Sequence, residues 1–434
     1  MSDISRRNII KAGAAIGGAS IIGKLGYDLL KDPLVKLDER LNDSIQALPA
    51  ASISAAILKN NQVYWSKNYG YQDMASRHRM TENSAWQTIG SISKLVVWTA
   101  VMQLVEKGEL DLQKDVSDYI GFQLRSPHYP DTKITTYHLL THSSSLSSRK
   151  LMSAPGPMAD SFCETSSENL GGWVLRYMSS ASKDYNEEQI FDEYEAGDFT
   201  NITPDPLGVS SGYSNLNAVL AAYIVQRIVG GSFEAYCEDN IFRPCGMLQT
   251  SWSKAKPFEW MTHYEAERSQ RAPVMRAYTE AMIKKEYTSK AVVASPEGRN
   301  YLDFAHCDYF SPVYPMGLLG TSLQSILPFF LAYLNQGQVN GYSLLTPETV
   351  KAIFTQQRSD HVSRTALGLG WFNKMGSKDA DRWGHDGGGP GVLSTVSINP
   401  KTGSGVLLFI NNFHVNYERR TTLLNAMNDI AYSA

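Results

Sequence analysis

A serine hydroxyl becomes a nucleophile when a neutral amine can take its proton, and a lysine three residues further along a helix shares the serine's face. The chain has this spacing at Ser91/Lys94, Ser147/Lys150, Ser180/Lys183, Ser251/Lys254 and Ser253/Lys256, so spacing alone selects none of them. Only Ser91 directly follows a glycine and leads into a strongly apolar run, Leu95 to Val105, which ends near Gly108. A helix apolar on nearly every side is buried. At its N-terminus Ser91 would meet unpaired backbone N–H groups and the positive dipole end, which favour developing negative charge. The same field, with burial, would lower the pKa of Lys94 toward that of a working base. The competing reading is an exposed N-cap serine beside an ordinary surface lysine.

Two distant segments add candidates. Ser211-Gly212-Tyr213-Ser214-Asn215 precedes the apolar run Leu216 to Val229, which places Tyr213 and Asn215 on a turn at a helix start. There a tyrosine can relay a proton to a leaving group and an asparagine amide can hold a substrate carbonyl. Tyr333-Leu334-Asn335 repeats the Tyr-x-Asn pattern inside the run Leu327 to Leu334, where core packing is the simpler reading. Trp383-Gly384-His385-Asp386-Gly387-Gly388-Gly389-Pro390-Gly391 leads into a β-rich run. Clustered glycines beside a strand suit close approach of a ligand to the backbone, although a ligand-free turn uses similar residues.

In this order, Ser91-Ile92-Ser93-Lys94, Tyr213-Ser214-Asn215 and His385-Asp386-Gly387 resemble the three motifs of the penicillin-recognising serine hydrolases. The branch most similar comprises class C β-lactamases, D-alanyl-D-alanine carboxypeptidases, D-aminopeptidases and esterases of the same fold. Leu139-Leu140-Thr141-His142-Ser143, Gly246 to Trp252 and Leu345 to Val350 also resemble family segments. The resemblance runs from Leu37 to the C-terminus without the middle insertion. It implies that Ser91 attacks a carbonyl, Lys94 takes the serine proton, and Tyr213 protonates the leaving group and later helps to activate water. It also implies an oxyanion held by the N–H groups of Ser91 and Gly388, with no metal or organic cofactor.

Two departures bear on substrate and local shape. His385 stands where the lactamases and carboxypeptidases usually carry Lys, and histidine, with a pKa of about 6.5, is largely neutral above that pH. Ester or amide hydrolysis therefore ranks above efficient β-lactam hydrolysis. Beside it, Asp386 is expected either to attract a substrate amine or to cap its own turn. Ser145 stands where glycine is common after Thr-His-x-Ser.

The elements that must position these residues follow from periodicity. Leu37, Leu41, Ile45 and Leu48 recur at helical spacing, and two β-rich runs, Ser52 to Leu58 and Gln62 to Tyr69, flank Lys59-Asn60-Asn61. Strands return at Val392 to Ile398 and Gly405 to Ile410, before a last helix over Thr421 to Ile430. Strand-bearing ends around a helical middle predict an α/β fold with an inserted all-α domain, its antiparallel sheet flanked by helices. The α/β domain takes residues 36–88 and 316–434, and the helical domain takes residues 89–315 with an irregular insertion at about 149–207.

The chain of 434 residues is 43% hydrophobic and 19% charged, a globular composition able to bury a large core. A net charge of -3 gives no sign of the cationic surface that nucleic acid partners require. Ser5-Arg6-Arg7 before the apolar stretch Ala12 to Gly23 resembles a twin-arginine export signal. Residues 1–35 are thus expected to direct the protein to a bacterial periplasm, with membrane association if the segment stays attached. Cys163, Cys237, Cys245 and Cys307 lack zinc spacing; Cys237 and Cys245 are expected as buried thiols, with a bridge between them as the alternative. His138 and His142, at i and i+4, lack the intervening glutamate of a metal motif. The expected partner is a small ester, amide or short peptide. The alternatives are a β-lactamase or cell-wall D,D-carboxypeptidase, and a catalytically silent ligand-binding protein of the same fold.

Overall fold

The structure, a computed structural model, describes residues 32–48, 50–148, 168–197, 212–266, 292–294, 300–303, 311–359, 366–373, 381–389, 391–412, 415 and 417–433. Of the export-signal reading of residues 1–35, residues 1–31 lie outside the described residues, as do Cys163 and Cys307, while 32–35 begin the first helix. Cys237 and Cys245 are buried free thiols. Among the described residues no single helix is long and apolar enough to cross a membrane.

Helix α1 (Pro33–Ala47) starts where its sequence dictates: the Asp32 side chain accepts the Leu34 N–H, and Pro33 fills the first turn where no donor is needed. Strands β1 (Ser52–Lys59) and β2 (Gln62–Asp73) follow as a hairpin. Asn60 and Asn61 both take positive φ, 52° and 60°, the backbone of a tight hairpin turn and one that asparagine tolerates. With β3 (His78–Arg79) they form one end of a nine-stranded sheet. The other strands come from the C-terminal part: β4 (Arg358–Ser359), β5 (Ala366–Leu367), β6 (Phe372–Asn373), β7 (Trp383–Gly389), β8 (Val392–Asn399) and β9 (Ser404–Ile410), in the order β4-β5-β6-β7-β8-β9-β1-β2-β3. The described pairings within it are antiparallel, with β1 against β9 from Ile53↔Ile410 to Leu58↔Gly405.

Strand parity sorts the sheet into two faces. Ile53, Ala55, Ile57, Val406, Leu408 and Ile410 pack with α1 and the last helix, Tyr417–Ala431. Ala56, Leu58, Val396, Ile398, Leu407 and Phe409 join the larger core around α2 (Ser93–Glu106) and α3 (Asn215–Val229). In α2 every residue from Ser93 to Leu104 is buried, as its strongly apolar sequence requires. This is the mixed α/β fold with an antiparallel sheet and flanking helices that the sequence implies.

Three elements differ from their sequence expectations. Trp383 to Gly389, read as a glycine-rich approach site or a turn leading into a strand, is itself a strand, because β8 pairs with all of it; Gly384 and Gly387 leave no room for a Cβ. The helix expected over Leu327 to Leu334 begins at Leu323, where the Ser322 hydroxyl caps it; Pro328 inside it marks no boundary. The segment expected to be irregular contains regular structure: of residues 149–207, 168–197 are described and include a helix, Leu170–Met178, that buries Trp173, Val174 and Met178. Its continuation props the loop after Leu140, with Ser147 N donating to Ile190 O at 2.9 Å, Asp192 N to Ser145 O at 2.8 Å and Gly197 N to Ser143 O at 2.9 Å.

The turn between β5 and β6 seats α2. Gly370 has φ +79°, and a Cβ there would stand 2.2 Å from Trp98 Cδ1. Gly370→Ala is expected to cost about 2–4 kcal/mol, combining overpacking with a left-handed alanine. A urea midpoint lowered with unchanged slope is the measurement, and wild-type stability contradicts it.

Candidate active site

Ser91 lies in a 3-10 turn, Gly90–Ile92, that runs directly into α2. Gly90 takes φ +58°, open to glycine at little cost. The turn is fastened on both sides: Thr88 Oγ1 donates to Gly317 O at 2.5 Å and receives Gly90 N at 3.0 Å. Ser93 Oγ donates to Gly90 O at 2.6 Å and receives Leu319 N at 3.1 Å. Thr88 and Ser93 thus tie the turn to residues 317–319, leaving the half-buried Ser91 side chain facing its lysine.

Lys94 is fully buried, its Nζ 2.9 Å from Ser91 Oγ and donating to the Met316 carbonyl. Among the described residues it has no carboxylate partner, so desolvation holds its pKa well below the usual lysine value. A neutral amine has two N–H bonds and one lone pair, and Met316 O uses one of the former. The Ser251/Lys254 pair shows why spacing did not decide: Lys254 Nζ lies 4.6 Å from the Trp260 ring centre and donates to Leu318 O at 3.4 Å.

Tyr213 overhangs this pair, with Lys94 Nζ 5.3 Å from its ring centre. Burial raises the phenol pKa, and the nearby Ser91 hydroxyl lowers it less; the phenol still meets no partner at full hydrogen-bond geometry. Asn215 opens α3, and its N–H donates to Ser148 Oγ at 3.1 Å. Tyr333, the rejected alternative, is bonded to Thr99 Oγ1 at 2.6 Å within the core.

Strand β7 closes the site from the sheet side. A Cβ on Gly387 would lie 2.3 Å from Ile89 O and 3.0 Å from Ser91 N, and one on Gly90 would lie 2.5 Å from Gly388 N. Two backbones therefore touch where the sequence places Ser91 N and Gly388 N. His385 is 3% exposed, its ring centre 6.0 Å from that of Tyr213 and 5.1 Å from that of Phe372. Its Nδ1 faces the Asp386 carbonyl, which only accepts, so Nδ1 carries the proton and Nε2 the lone pair. Burial, and after it repulsion from the charged form of Lys94, push its pKa down to about 3.

The family model described as Beta-lactamase matches residues 41–427. The chain belongs to the beta-lactamase family, a family of serine hydrolases. It is 23% identical over 392 residues to Protein flp of Staphylococcus aureus (strain COL), covering 88% of this chain and 64% of that protein. Across several curated relatives the match spans 40% to 66% of their length. Two solved structures share the fold: the octameric penicillin-binding protein homologue from Pyrococcus abyssi (TM-score 0.66, 20% identity, 92% of this chain and 76% of that one), and D-amino acid amidase from Ochrobactrum anthropi SV3 in complex with L-phenylalanine amide (TM-score 0.65, 17% identity, 92% and 99%).

Within this beta-lactamase-family site, the structure brings Ser91, Lys94, Tyr213, His385, Gly387 and Gly388 together and corrects Asp386. His385 pairs across β8 and β9 with Val396 and Leu407, on the face of the larger core, whereas Asp386 pairs with Thr395 and Leu408, on the opposite face. There Asp386 Oδ1 accepts from Arg420 Nη2 and from Thr395 Oγ1 at 2.7 Å. It neither faces a substrate amine nor caps its own turn, because alternation along a strand sends neighbours to opposite sides. Ser145 occupies φ +62°, which explains the glycine usual at that position and costs about 1 kcal/mol. Sequence reasoning missed Met316, which acts through its carbonyl, and Phe372, Arg358 and Arg420, which lie in no motif.

Two outcomes follow from these placements. Asp386→Asn is expected to leave kcat/KM within about fivefold, since a half-exposed ion pair contributes less than about 1 kcal/mol; a hundredfold loss would return Asp386 to the site. The buried histidines give the second. Burial first, then neighbouring positive charge, lowers the pKa of His138 to about 4, of His385 to about 3, and of His142 well below the usual value. Between these values and about 6.5 the unfolded chain binds more protons than the folded one, so stability falls as pH falls below 6.5. The slope approaches about 4 kcal/mol per pH unit for three sites. Urea midpoints measured from pH 7 to pH 5 should decline steadily, and a flat profile refutes the neutral assignment.

Proposed function

We propose that this chain is a serine hydrolase that forms an acyl-enzyme on Ser91 from a small ester or amide, including amides of D-amino acids. The carrying observation is the Ser91–Lys94 contact of 2.9 Å with an amine buried away from any described carboxylate. Neutral Lys94 takes the Ser91 proton as Oγ attacks the carbonyl. That proton passes through Tyr213 to the leaving group, which departs protonated; the two residues then take a proton from the water that releases the acid and restore Ser91. The N–H groups of Ser91 and Gly388 hold the oxyanion, donors typically worth about 3–4 kcal/mol of barrier each.

His385 supports the choice of substrate. A neutral imidazole presenting Nε2 as an acceptor offers a hydrogen bond to an amide N–H or hydroxyl, and offers a carboxylate nothing. A β-lactam or a peptide C-terminus, which brings a carboxylate to this wall, is accordingly the weaker substrate. The twin-arginine-like segment supports export to a periplasm as part of the same reading.

Purified protein incubated with an acyl p-nitrophenyl ester, a D-amino acid amide and a chromogenic cephalosporin should turn over the first two faster than the third. Intact-protein mass should show an acyl adduct that Ser91→Ala removes. Rapid cephalosporin turnover would favour a β-lactamase, and binding without adduct or turnover would favour a silent binding protein.

A further inference from the structure

Tyr213 is the leaving-group acid in the reading above, and its hydroxyl is held by no partner at full hydrogen-bond geometry. Beside the nearby Ser91 hydroxyl, its placement comes from what its ring and its adjoining backbone touch. The ring neighbours Lys94, His385 and Phe372, but His142 lies nearest to it and also receives the adjoining backbone N–H.

His142 is completely buried and takes φ +48°, a left-handed conformation uncommon for a residue with a side chain. Its backbone is pinned by the buried Arg358, whose Nη1 donates to the carbonyls of Thr141 at 3.0 Å and His142 at 2.6 Å. The imidazole lies against the Tyr213 ring, with centres 4.4 Å apart and planes at 31°. Its Nδ1 receives the Ser214 backbone N–H at 3.3 Å and lies 2.9 Å from Asn217 Nδ2. A backbone N–H can only donate, so Nδ1 carries the lone pair and the ring proton sits on Nε2. The Asn217 orientation agrees, because its Oδ1 receives the Ser144 hydroxyl at 2.5 Å. Burial, followed by repulsion from the charged forms of Lys94 and His385 and from Arg358, keeps the ring in the neutral form that alone can accept.

We propose that His142 is the positioning residue for Tyr213: its Nδ1 fixes the backbone just after the tyrosine, and its ring plane sets the phenol above Lys94. This rests on the reading of Tyr213 as the acid. It gives the Leu139 to Ser145 loop a part in proton transfer, although none of its side chains meets the substrate in that scheme. A protonated ring would turn an N–H toward Ser214 N–H and Asn217 Nδ2, so the same geometry excludes the charged form.

Leaving groups provide the test. A p-nitrophenyl ester expels a stable anion and needs little protonation, whereas an alkyl amide of the same acyl group expels an amine that must be protonated; loss of a positioned acid therefore falls on the amide. Tyr213→Phe sets the reference bias. His142→Phe keeps a ring without an acceptor, and His142→Asn keeps an acceptor near Nδ1 and tolerates positive φ. His142→Phe is expected to lower kcat for the amide by about tenfold or more relative to the ester, a part of the about 10²- to 10⁴-fold that general acids contribute, with little change in KM. His142→Asn should recover most of that ratio. Asn217→Asp draws the ring proton to Nδ1, removes the acceptor from Ser214, and should reproduce the bias even where His142→Phe does not fold. A wild-type ratio in His142→Phe or Asn217→Asp, alongside a clear bias in Tyr213→Phe, overturns the assignment of His142 alone. Absence of bias in Tyr213→Phe overturns the acid role of Tyr213 and this assignment with it.

Discussion

Keeping an amine uncharged inside a protein requires that no anion come near it, and the surroundings of Lys94 meet that requirement. An ammonium moved into an apolar interior loses several kcal/mol of hydration; with no carboxylate among the described residues to restore it, the group sheds its proton instead. Helix α2 supplies the apolar wall, buried from Ser93 to Leu104. The Met316 carbonyl supplies one acceptor, enough to orient the amine without neutralising a charge. His142 and His385 lie close enough for Lys94 to lower their pKa values. Three basic groups thus share a small volume only because burial keeps them uncharged.

The second constraint is contact between main chains. The Gly90–Ile92 turn and strand β7 meet where Gly90 and Gly387 have no room for a Cβ. Ser394 Oγ donates to Ile89 O at 2.7 Å and joins β8 to the same turn. Side chains between these layers would have held the amides of Ser91 and Gly388 apart. The glycines are required by proximity as much as by backbone angle, since Gly387 has no positive φ while Gly90 does.

Much of this was legible in the sequence for local reasons. Ser91 and Lys94 stood out because one helix carries both and a strongly apolar run follows, and Asn60-Asn61 between two β-rich runs specified its hairpin. Tyr213 could be chosen over Tyr333 because a turn precedes one and apolar residues surround the other. Asp386 could not be placed, since the face a strand residue takes depends on the parity of a pairing partner far along the chain. The glycines of β7 left open a close-approach site or a turn beside a strand and hid that the segment is itself a strand, because their low β-propensity is overridden by pairing to β8. Met316 left no mark at all: its contribution is a carbonyl, which every residue possesses.

The sheet that seats the site is closed by strands from opposite ends of the chain. Asn411 Nδ2 reaches Ser52 Oγ at 3.3 Å across 359 sequence positions, and closing a loop of that size costs about 5 kcal/mol of chain entropy. Contacts so remote form late and slowly. During synthesis Ser91, Lys94 and Tyr213 all precede the strand that supplies Gly388, and that strand precedes β8 and β9, which join it to β1. On the proposed reading, a growing chain therefore carries its nucleophile long before it can stabilise an oxyanion, and that chemistry stays silent until the C-terminal strands are made.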